Sequence, residues 1–343
     1  MIIRPATPAD GAPMLRSIES QPTRGPLQLL YTRRPDAYRS YVRECPGAEL
    51  LVCEDGGKLV AQGACLPRRF FVDGEEAVVG YATGLHKAPG APLSIMDLLD
   101  EAYRRSTARA FFCSILDDNG AIMRRFGQRW GLRVLSDYRT YLVSPSAIKD
   151  RRHDVTCRRA RPADGDRLVR FYREAGAGFS YFPVVSRIDE FPDLDVTDFV
   201  LCESGGQIVA AGALWDQRAF RQYIVGRYGG VYRLVRRTPW LLRALGFPPL
   251  PAPGEVVRAA FLSFVLARDD PAAEWAVMAE LAAGAARDFD FLVIGAVPSS
   301  TLGMALDRVP GLKIGSHLCA IGYGKTTPDP VPRGPFRFEC ALL

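Results

Sequence analysis

Four side chains in the first half of the sequence could transfer protons: Glu76, His86, Tyr138 and Tyr141. A carboxylate or a neutral imidazole can accept a proton and a phenol can donate one, so the set would suit general acid–base chemistry. Each residue also has a structural interpretation. Glu76 follows an Asp-Gly turn and could be solvated, aromatic residues on a strand commonly pack, and a single histidine at a strand end could simply be buried.

The elements that must hold these side chains are short β-rich runs. A strand is predicted over 75–85 and ends just before His86, and another over 133–143 carries both tyrosines. Between them the pattern predicts a helix over 94–109 and a strand over 110–116. Asp118-Asn119 then places a carboxylate and an amide at the end of that strand, although Asp-Asn-Gly is also ordinary turn chemistry.

Much of this first half is repeated in the second. Residues 51–64, LVCEDGGKLVAQGA, return at 200–213 as VLCESGGQIVAAGA, with 8 of 14 positions identical. RPATPADG at 4–11 likewise returns as RRARPADG at 158–165. A period near 150 residues is the size of a domain. We therefore predict a duplicated domain, with units at 1–147 and 153–343 joined by a polar linker at 144–156.

Both units predict the same order of elements. Each opens with a strand and a helix, continues through a Gly-Gly hairpin and a third strand, and then alternates helix and strand to the end. The second unit repeats the later elements as strands at 256–266, 290–296 and 312–323 and a helix at 271–287. The expected fold class is α/β, with two tandem units that each have a mixed, largely antiparallel sheet flanked by helices.

Composition narrows the function classes. No apolar run approaches the length of a membrane span and the N-terminus lacks a signal-peptide core, so we expect a cytoplasmic protein. Eight cysteines occur without a CxxC pair, and we expect them to be reduced and packed as small hydrophobes. The three histidines have no metal-ligand spacing, so no metal is expected.

The positive charge is concentrated in one insertion, residues 217–254. Seven arginines and no acid lie between Asp216 and Glu255, and removing them from 44 basic residues leaves 37 against 38 acidic ones. The arginines are interleaved with aromatics, which could bind an anionic ligand, a nucleotide or tRNA, or an anionic membrane. A basic surface excursion that packs its aromatics on the domain is the structural alternative, and nucleic acid is not the partner we favour.

The opening R-x-A-x-x-x-D and the element order resemble the GNAT superfamily of N-acyltransferases, and the duplication resembles its tandem members. The run NGAIMRRFGQRWGL at 119–132 is similar to the family's N-x-x-A-x-x-x-Y-x-x-x-G-F, with Asn119 in place and Phe126 at the tyrosine position. The resemblance implies an acyl-CoA site beside these residues. It also implies that the usual proton donor is missing at Phe126.

The resemblance further implies a pyrophosphate loop before the helix at 94–109. The stretch LHKAPGAPLS offers Leu85, Lys87, Ala88, Gly90, Ala91 and Ser94 as acyl-CoA contacts. Pro89 and Pro92 each lack an N–H donor, which weakens such a loop. The second unit has Asp269 and Asp270 at the same place, and carboxylates there would repel the phosphates. We therefore assign acyl-CoA to the first unit.

The implied function is an acyl-CoA-dependent N-acyltransferase acting on the amine of a small molecule or peptide. The donor would be acetyl-CoA or another acyl-CoA, with the second unit shaping the acceptor cleft. Two alternatives stay open: a Fem-type transferase that takes its acyl group from aminoacyl-tRNA, and a non-catalytic tandem that binds a ligand or partner.

Overall fold

The computed structural model describes residues 1–22, 27–91, 95–108, 110–149, 155–244, 248, 250–321 and 332–343. The first half contains β1 (Ile2–Pro5), α1 (Gly11–Glu19), β2 (Leu27–Thr32), α2 (Ala37–Glu44), β3 (Glu49–Asp55), β4 (Lys58–Val72), β5 (Glu75–Lys87), α3 (Ile95–Arg105), β6 (Ala110–Leu116), α4 (Gly120–Trp130) and β7 (Arg133–Val143). The second contains β8 (Thr156–Arg159), α5 (Gly165–Gly176), β9 (Phe199–Ser204), β10 (Gln207–Trp215), β11 (Gln222–Tyr228), α6 (Gly230–Val235), α7 (Pro239–Ala244), β12 (Ala259–Ala267), α8 (Pro271–Ala285), β13 (Phe291–Ala296), α9 (Thr301–Leu306) and β14 (Gly311–Ile321).

Twelve of these strands form one sheet in the order β1-β3-β4-β5-β6-β14-β7-β13-β12-β10-β9-β8. The pairs β5–β6 and β12–β13 are parallel, because α3 and α8 cross over between their strands. All other neighbours in this sheet are antiparallel. The expected fold class, a mixed and largely antiparallel sheet with flanking helices, is confirmed.

The last strands of the two halves change places. β14 lies beside β6 of the first half, and β7 lies beside β13 of the second. The two exchanged strands pair with each other at the centre, from Gly311 opposite Val143 to Ala320 opposite Arg133. Each half of the sheet is therefore completed by a strand from the other half. The units 1–147 and 153–343 stay a prediction, and the exchange crosses their boundary.

The repeated R-x-A-x-x-x-D motif forms the same ion cluster in both halves. Arg4 contacts Asp10 at 2.8 Å and Glu54 at 3.0 Å, and Asp10 also accepts a bond from the Thr7 N–H. In the second half Arg158 contacts Asp164 at 2.7 Å and Glu203 at 2.9 Å. The motif therefore fixes the first strand of each half to the turn that follows it, and to the strand beside it.

The segment 332–343 packs against both halves. Phe338 is almost fully buried, and its ring contacts those of Phe70, Phe112 and Tyr138 at centroid distances of 5.6, 5.1 and 6.2 Å. Since Phe70 and Phe112 belong to β4 and β6 and Tyr138 to the exchanged β7, this one side chain joins the two halves of the core.

The insertion is more closely joined to the first half than its sequence indicates. β11 pairs with β2 in a separate two-stranded sheet, and the sequence did not predict β2 as a strand. Gln222 exchanges hydrogen bonds with the backbone of Arg34, and Ser40 donates to the Phe220 carbonyl. The insertion is therefore part of the contact between the halves.

The predicted linker and the cysteines both differ from expectation. Ile148 is buried, and the Trp275 indole donates to the Lys149 carbonyl at 2.9 Å, so the start of 144–156 packs against α8.

Cys157 and Cys202 lie opposite each other on β8 and β9, with Cα atoms 4.0 Å apart, and form a disulfide. Our expectation of reduced cysteines is wrong for this pair, while the other six are free and buried.

None of the helices that the structure describes is long and apolar enough to cross a membrane.

Replacing Phe338 with alanine should lower the free energy of unfolding by about 3–5 kcal/mol, because the cavity would open where three aromatic rings meet. Urea denaturation followed by circular dichroism would measure this. Met304→Ala removes a side chain that is 54% exposed and should change stability by less than about 0.5 kcal/mol. Equal effects of the two substitutions would contradict a joining role for Phe338.

Candidate functional site

Each half contains an opening between its two parallel strands. β5 and β6 pair only at Val79–Ala110, Gly80–Phe111 and Tyr81–Phe112, and β12 and β13 pair at three equivalent positions. Beyond these positions the strands separate, so their facing edges present backbone N–H and C=O groups that the partner strand no longer satisfies. An extended ligand that contains amides could form hydrogen bonds with these backbone N–H and C=O groups.

In the second half, the opening is filled by the segment 332–343. The Arg337 guanidinium donates to the Val265 carbonyl and contacts the Glu274 carboxylate. The Glu339 carboxylate accepts from the Phe264 N–H, and the Phe338 carbonyl accepts from the Tyr138 hydroxyl at 2.9 Å. Two backbone groups of β12, the Phe264 N–H and the Val265 carbonyl, are therefore already bonded to side chains of this segment.

The helix that starts beside this second opening is also already capped. The Asp270 carboxylate accepts from the Ala272 N–H at 2.9 Å, at the N-terminus of α8. The Arg268 N–H is used as well, because it donates to the Val209 carbonyl. A carboxylate thus lies at the helix end where an anionic ligand would otherwise be favoured.

The opening of the first half differs. In the part of the chain that the structure describes, no hydrogen bond from another segment reaches the facing edges of Thr83–His86 and Cys113–Ile115. β4 and β14 pair with the outer edges of these strands. The first opening therefore keeps the backbone groups that the second has used.

The loop that follows β5 offers fewer donors than a phosphate loop needs. The Ala88 N–H donates to Val60 and the Ala91 N–H to Ala88, at 2.8 and 3.2 Å. The Lys87 ammonium reaches the Ala91 carbonyl at 3.1 Å, and Gly90 has a positive φ of 77° that completes the turn. Ser94 lies outside the described residues.

His86 is held at the end of β5, opposite Gln62 of β4. Paired positions on antiparallel strands place their side chains on the same face of the sheet. Nδ1 of His86 and both polar atoms of the Gln62 amide are buried without a hydrogen-bond partner among the described residues. Burial lowers the pKa of His86 to about 4, so the imidazole is neutral near pH 7.

Leu85 points to the opposite face. A Cβ on Gly63 would lie 2.8 Å from Leu85 Cδ2, so the glycine lets the end of the leucine side chain approach β4 closely. Leu85 joins the cluster around Leu98, Phe111 and Phe126. Phe126 is itself buried, and the position that resembles the family's tyrosine therefore serves the core.

Asn119 begins α4 and is exposed. Its side chain makes no capping bond, but its carbonyl accepts from the N–H groups of Ile122 and Met123. Asn119 therefore lies three residues past the end of β6, the strand that forms one side of the first opening.

The structure does not bring Glu76, Tyr138 and Tyr141 to His86. Glu76 starts β5, ten residues from His86 or about 30 Å along the strand, and it contacts Arg173 at 2.8 Å. β6 and β14 separate β5 from β7, which places the tyrosines about 14 Å or more to the side.

Both tyrosine hydroxyls have partners in the second half. Tyr138 donates to Phe338 as described above, and Tyr141 donates to Asp307 at 2.9 Å. Burial raises the pKa of Tyr138 well above its ordinary value and that of Tyr141 to about 12. Both phenols are therefore poor proton donors where they lie.

The sequence did not single out His317, which lies on β14 opposite Ile115 of β6. His317 on β14 contacts Asp137 of β7 at 2.8 Å and Asp117 at 3.5 Å. The strand exchange places β14 between β6 and β7, and nothing in the local pattern indicates that neighbourhood. Gln62 was also missed, because a lone glutamine inside an apolar strand carries no motif.

No protein-family model and no curated protein matches the sequence. Solved structures with a similar fold include three that match most of this chain. A conserved protein of unknown function from Enterococcus faecalis, described as a probable N-acyltransferase, is 9% identical with a TM-score of 0.51 and covers 93% of this chain and 72% of its own. A GCN5-related N-acetyltransferase from Kribbella flavida is 12% identical with a TM-score of 0.52, and the match covers 93% of this chain and 70% of the Kribbella chain.

The third is the N-myristoyltransferase of Saccharomyces cerevisiae with bound myristoyl-CoA. It is 10% identical with a TM-score of 0.55, and the match covers 95% of this chain and 84% of the yeast chain. Such low identities establish the architecture alone. The splayed parallel strands, the mixed sheet and these similarities together show that the chain has the fold of the GNAT superfamily.

Proposed function

We propose that this protein is an acyl-CoA-dependent N-acyltransferase whose site is the opening of the first half. The observation that carries the proposal is the contrast between the two openings. The edge of β12 is bonded to Arg337 and Glu339, whereas the edges of Thr83–His86 and Cys113–Ile115 have no such partner among the described residues.

The free edges suit the arm of coenzyme A, which is an extended chain that contains amide groups. Bound between β5 and β6, it would bond to backbone groups as an added strand does. The opening has apolar walls where Leu85 and Ile115 pack. The residues therefore fit an acyl-CoA at the arm and the acyl group.

The fit is weaker at the phosphates. Because the Ala88 N–H donates to Val60 of β4, the Ala91 N–H donates to Ala88 and Pro89 has no N–H, backbone donors are scarce there. Lys87 would supply the main positive charge for the pyrophosphate, with Gly90 allowing close approach. Asn119 would contact the ligand from the other side of the opening.

An acyl thioester supplies an activated carbonyl to which an amine can add. His86 would accept the proton that the amine loses as its nitrogen bonds to the carbonyl carbon and the C–S bond breaks. The unpaired amide of Gln62 would orient the amine or the carbonyl oxygen. Phe126 offers no proton, so the thiolate would leave unprotonated and take its proton from solvent.

Titration calorimetry with acetyl-CoA and with longer acyl-CoAs tests the proposal directly. We expect one molecule bound per chain, because one opening is filled and one is not. Lys87→Ala should weaken binding about tenfold by removing a phosphate contact. No binding at millimolar ligand would end the proposal. Acyl transfer from aminoacyl-tRNA without such binding would favour the Fem-type alternative.

His86→Ala should lower kcat/KM about 10²–10⁴-fold, which is the usual contribution of a positioned general base. Glu76→Gln, on the same strand but about 30 Å away, should stay within about twofold of the unaltered protein. Steady-state kinetics with a panel of amines would compare them. A larger loss for Glu76→Gln would restore the glutamate as the base.

Stability should depend on pH through His86. In the unfolded chain this histidine takes up its proton near the ordinary pKa of 6.5, but the folded protein takes it up only near 4. The folded state therefore binds fewer protons in that window, and stability should fall as the pH falls from about 6.5 to 4.

Urea unfolding at a series of pH values would measure this effect. The loss on going from pH 7 to 4 should be up to about 3 kcal/mol greater for the unaltered protein than for His86→Gln. Identical slopes for the two proteins would show that His86 is solvated and keeps an ordinary pKa.

A further inference from the structure

The insertion carries a small helical cap, residues 230–242, whose outer face is unusually apolar. Val231, Leu234 and Trp240 are 63%, 65% and 68% exposed, and Leu241 is 39% exposed. The first three are the largest exposures of large apolar side chains in the second half of the described chain. Four large apolar side chains on two short consecutive helices form a patch that folding alone does not explain.

Exposed arginines lie on the cap itself and on the strand that precedes it. Arg227, Arg233, Arg236 and Arg237 are exposed, and none forms a salt bridge with another described residue. Elsewhere in the structure exposed arginines commonly face a carboxylate, as Arg187 faces Asp189 and Arg268 faces Glu174. Because no acid occurs between Asp216 and Glu255, the cap has no internal counter-charge.

The inner face of the same cap covers an apolar chamber. The chamber has a volume of about 470 Å³ and is lined by Tyr232, Val235 and Leu242 of the cap, with strand residues such as Leu29, Leu142 and Val293 opposite. Among its described lining residues, Arg221 is the one charged side chain, and it is engaged by the main-chain oxygens of Ala341 and Leu343. The cap is therefore apolar both inside and outside.

Three classes of partner could bind a surface of exposed apolar side chains and arginines: a lipid surface, RNA or a protein. RNA binding would need exposed aromatic rings on which bases stack. Tyr228 is buried, Tyr232 lines the chamber, and Tyr223, which is 36% exposed, packs on Tyr31 at 5.5 Å, so Trp240 at 68% is the most exposed ring of the described insertion. The exposed residues are otherwise aliphatic, which suits acyl chains better than bases.

We propose that the outer face of the cap docks on an anionic lipid surface and that the chamber beneath it receives an aliphatic chain from that surface. Val231, Leu234, Trp240 and Leu241 would enter the boundary between head groups and acyl chains, while the arginines pair with lipid phosphates. This inference does not rest on acyl transfer, since surface and chamber are defined without the opening at β5 and β6.

Sedimentation with vesicles tests the docking. The full-length protein should bind vesicles of phosphatidylcholine with 30% phosphatidylglycerol, and it should bind pure phosphatidylcholine at least about tenfold more weakly. The triple variant Arg233→Glu/Arg236→Glu/Arg237→Glu should bind about 100-fold more weakly, because each arginine near an anionic surface contributes about fivefold. Leu234→Ser/Trp240→Ser should lose about tenfold, because apolar area no longer enters the lipid.

A matched control makes the same charge change elsewhere. Arg16, Arg170 and Arg308 are exposed and form no salt bridge with a described residue, and their triple change to glutamate should reduce vesicle binding by less than about threefold. Equal loss in the control, or binding to an RNA oligonucleotide in place of vesicles, would overturn the proposal. Circular dichroism would establish that each variant is folded.

The chamber is tested separately with cis-parinaric acid, a fluorescent aliphatic chain. Its fluorescence should rise on binding to the unaltered protein, and Val235→Trp should reduce that rise by occupying part of the space beneath the cap. Vesicle binding by Val235→Trp should stay within about twofold, since the outer face is intact. A fluorescence rise that Val235→Trp leaves unchanged would remove the chamber from the proposal.

Discussion

The structure depends on the exchange of β7 and β14 at the middle of the sheet. An antiparallel ladder from Gly311–Val143 to Ala320–Arg133 joins them, and each also pairs with a strand of the half it did not come from. In the final sheet neither half uses its own last strand, because β6 pairs with β14 and β13 pairs with β7. The buried ring of Phe338 and the pairing of β2 with β11 add to the same contact.

The two halves hold their first strands in the same way, but they differ at the opening between their parallel strands. The Arg4 and Arg158 clusters remain alike, which fits their role in holding the first strand and turn. The openings differ, because segment 332–343 bonds to β12 while the edge of β5 lacks a described partner. At the open site, Nδ1 of His86 and the Gln62 amide are buried without a hydrogen-bond partner among the described residues. Unsatisfied polar atoms are costly, so a ligand that bonds to these atoms would stabilise the protein.

Local patterns in the sequence predicted the elements well and their neighbours poorly. The predicted bounds 110–116 and 133–143 match β6 and β7, because apolar runs between turn residues define a strand without reference to its partner. No local pattern indicates that β7 lies beside β13, so Tyr138 and Tyr141 were assigned to a cleft they do not face. His86 lies near the end of β5, close to the predicted strand end, but its position opposite Gln62 depends on register.

The exchanged strands also have a consequence for synthesis on the ribosome. When Val143 has emerged, the edge of β6 has no permanent partner, and β7 is the nearest free strand. β14 starts only at Gly311, so at about 5–20 residues per second the edge stays open for roughly ten seconds or more. A temporary β6–β7 pairing within the first half would give a second, unexchanged topology, and the final sheet requires that this pairing be broken before both halves close.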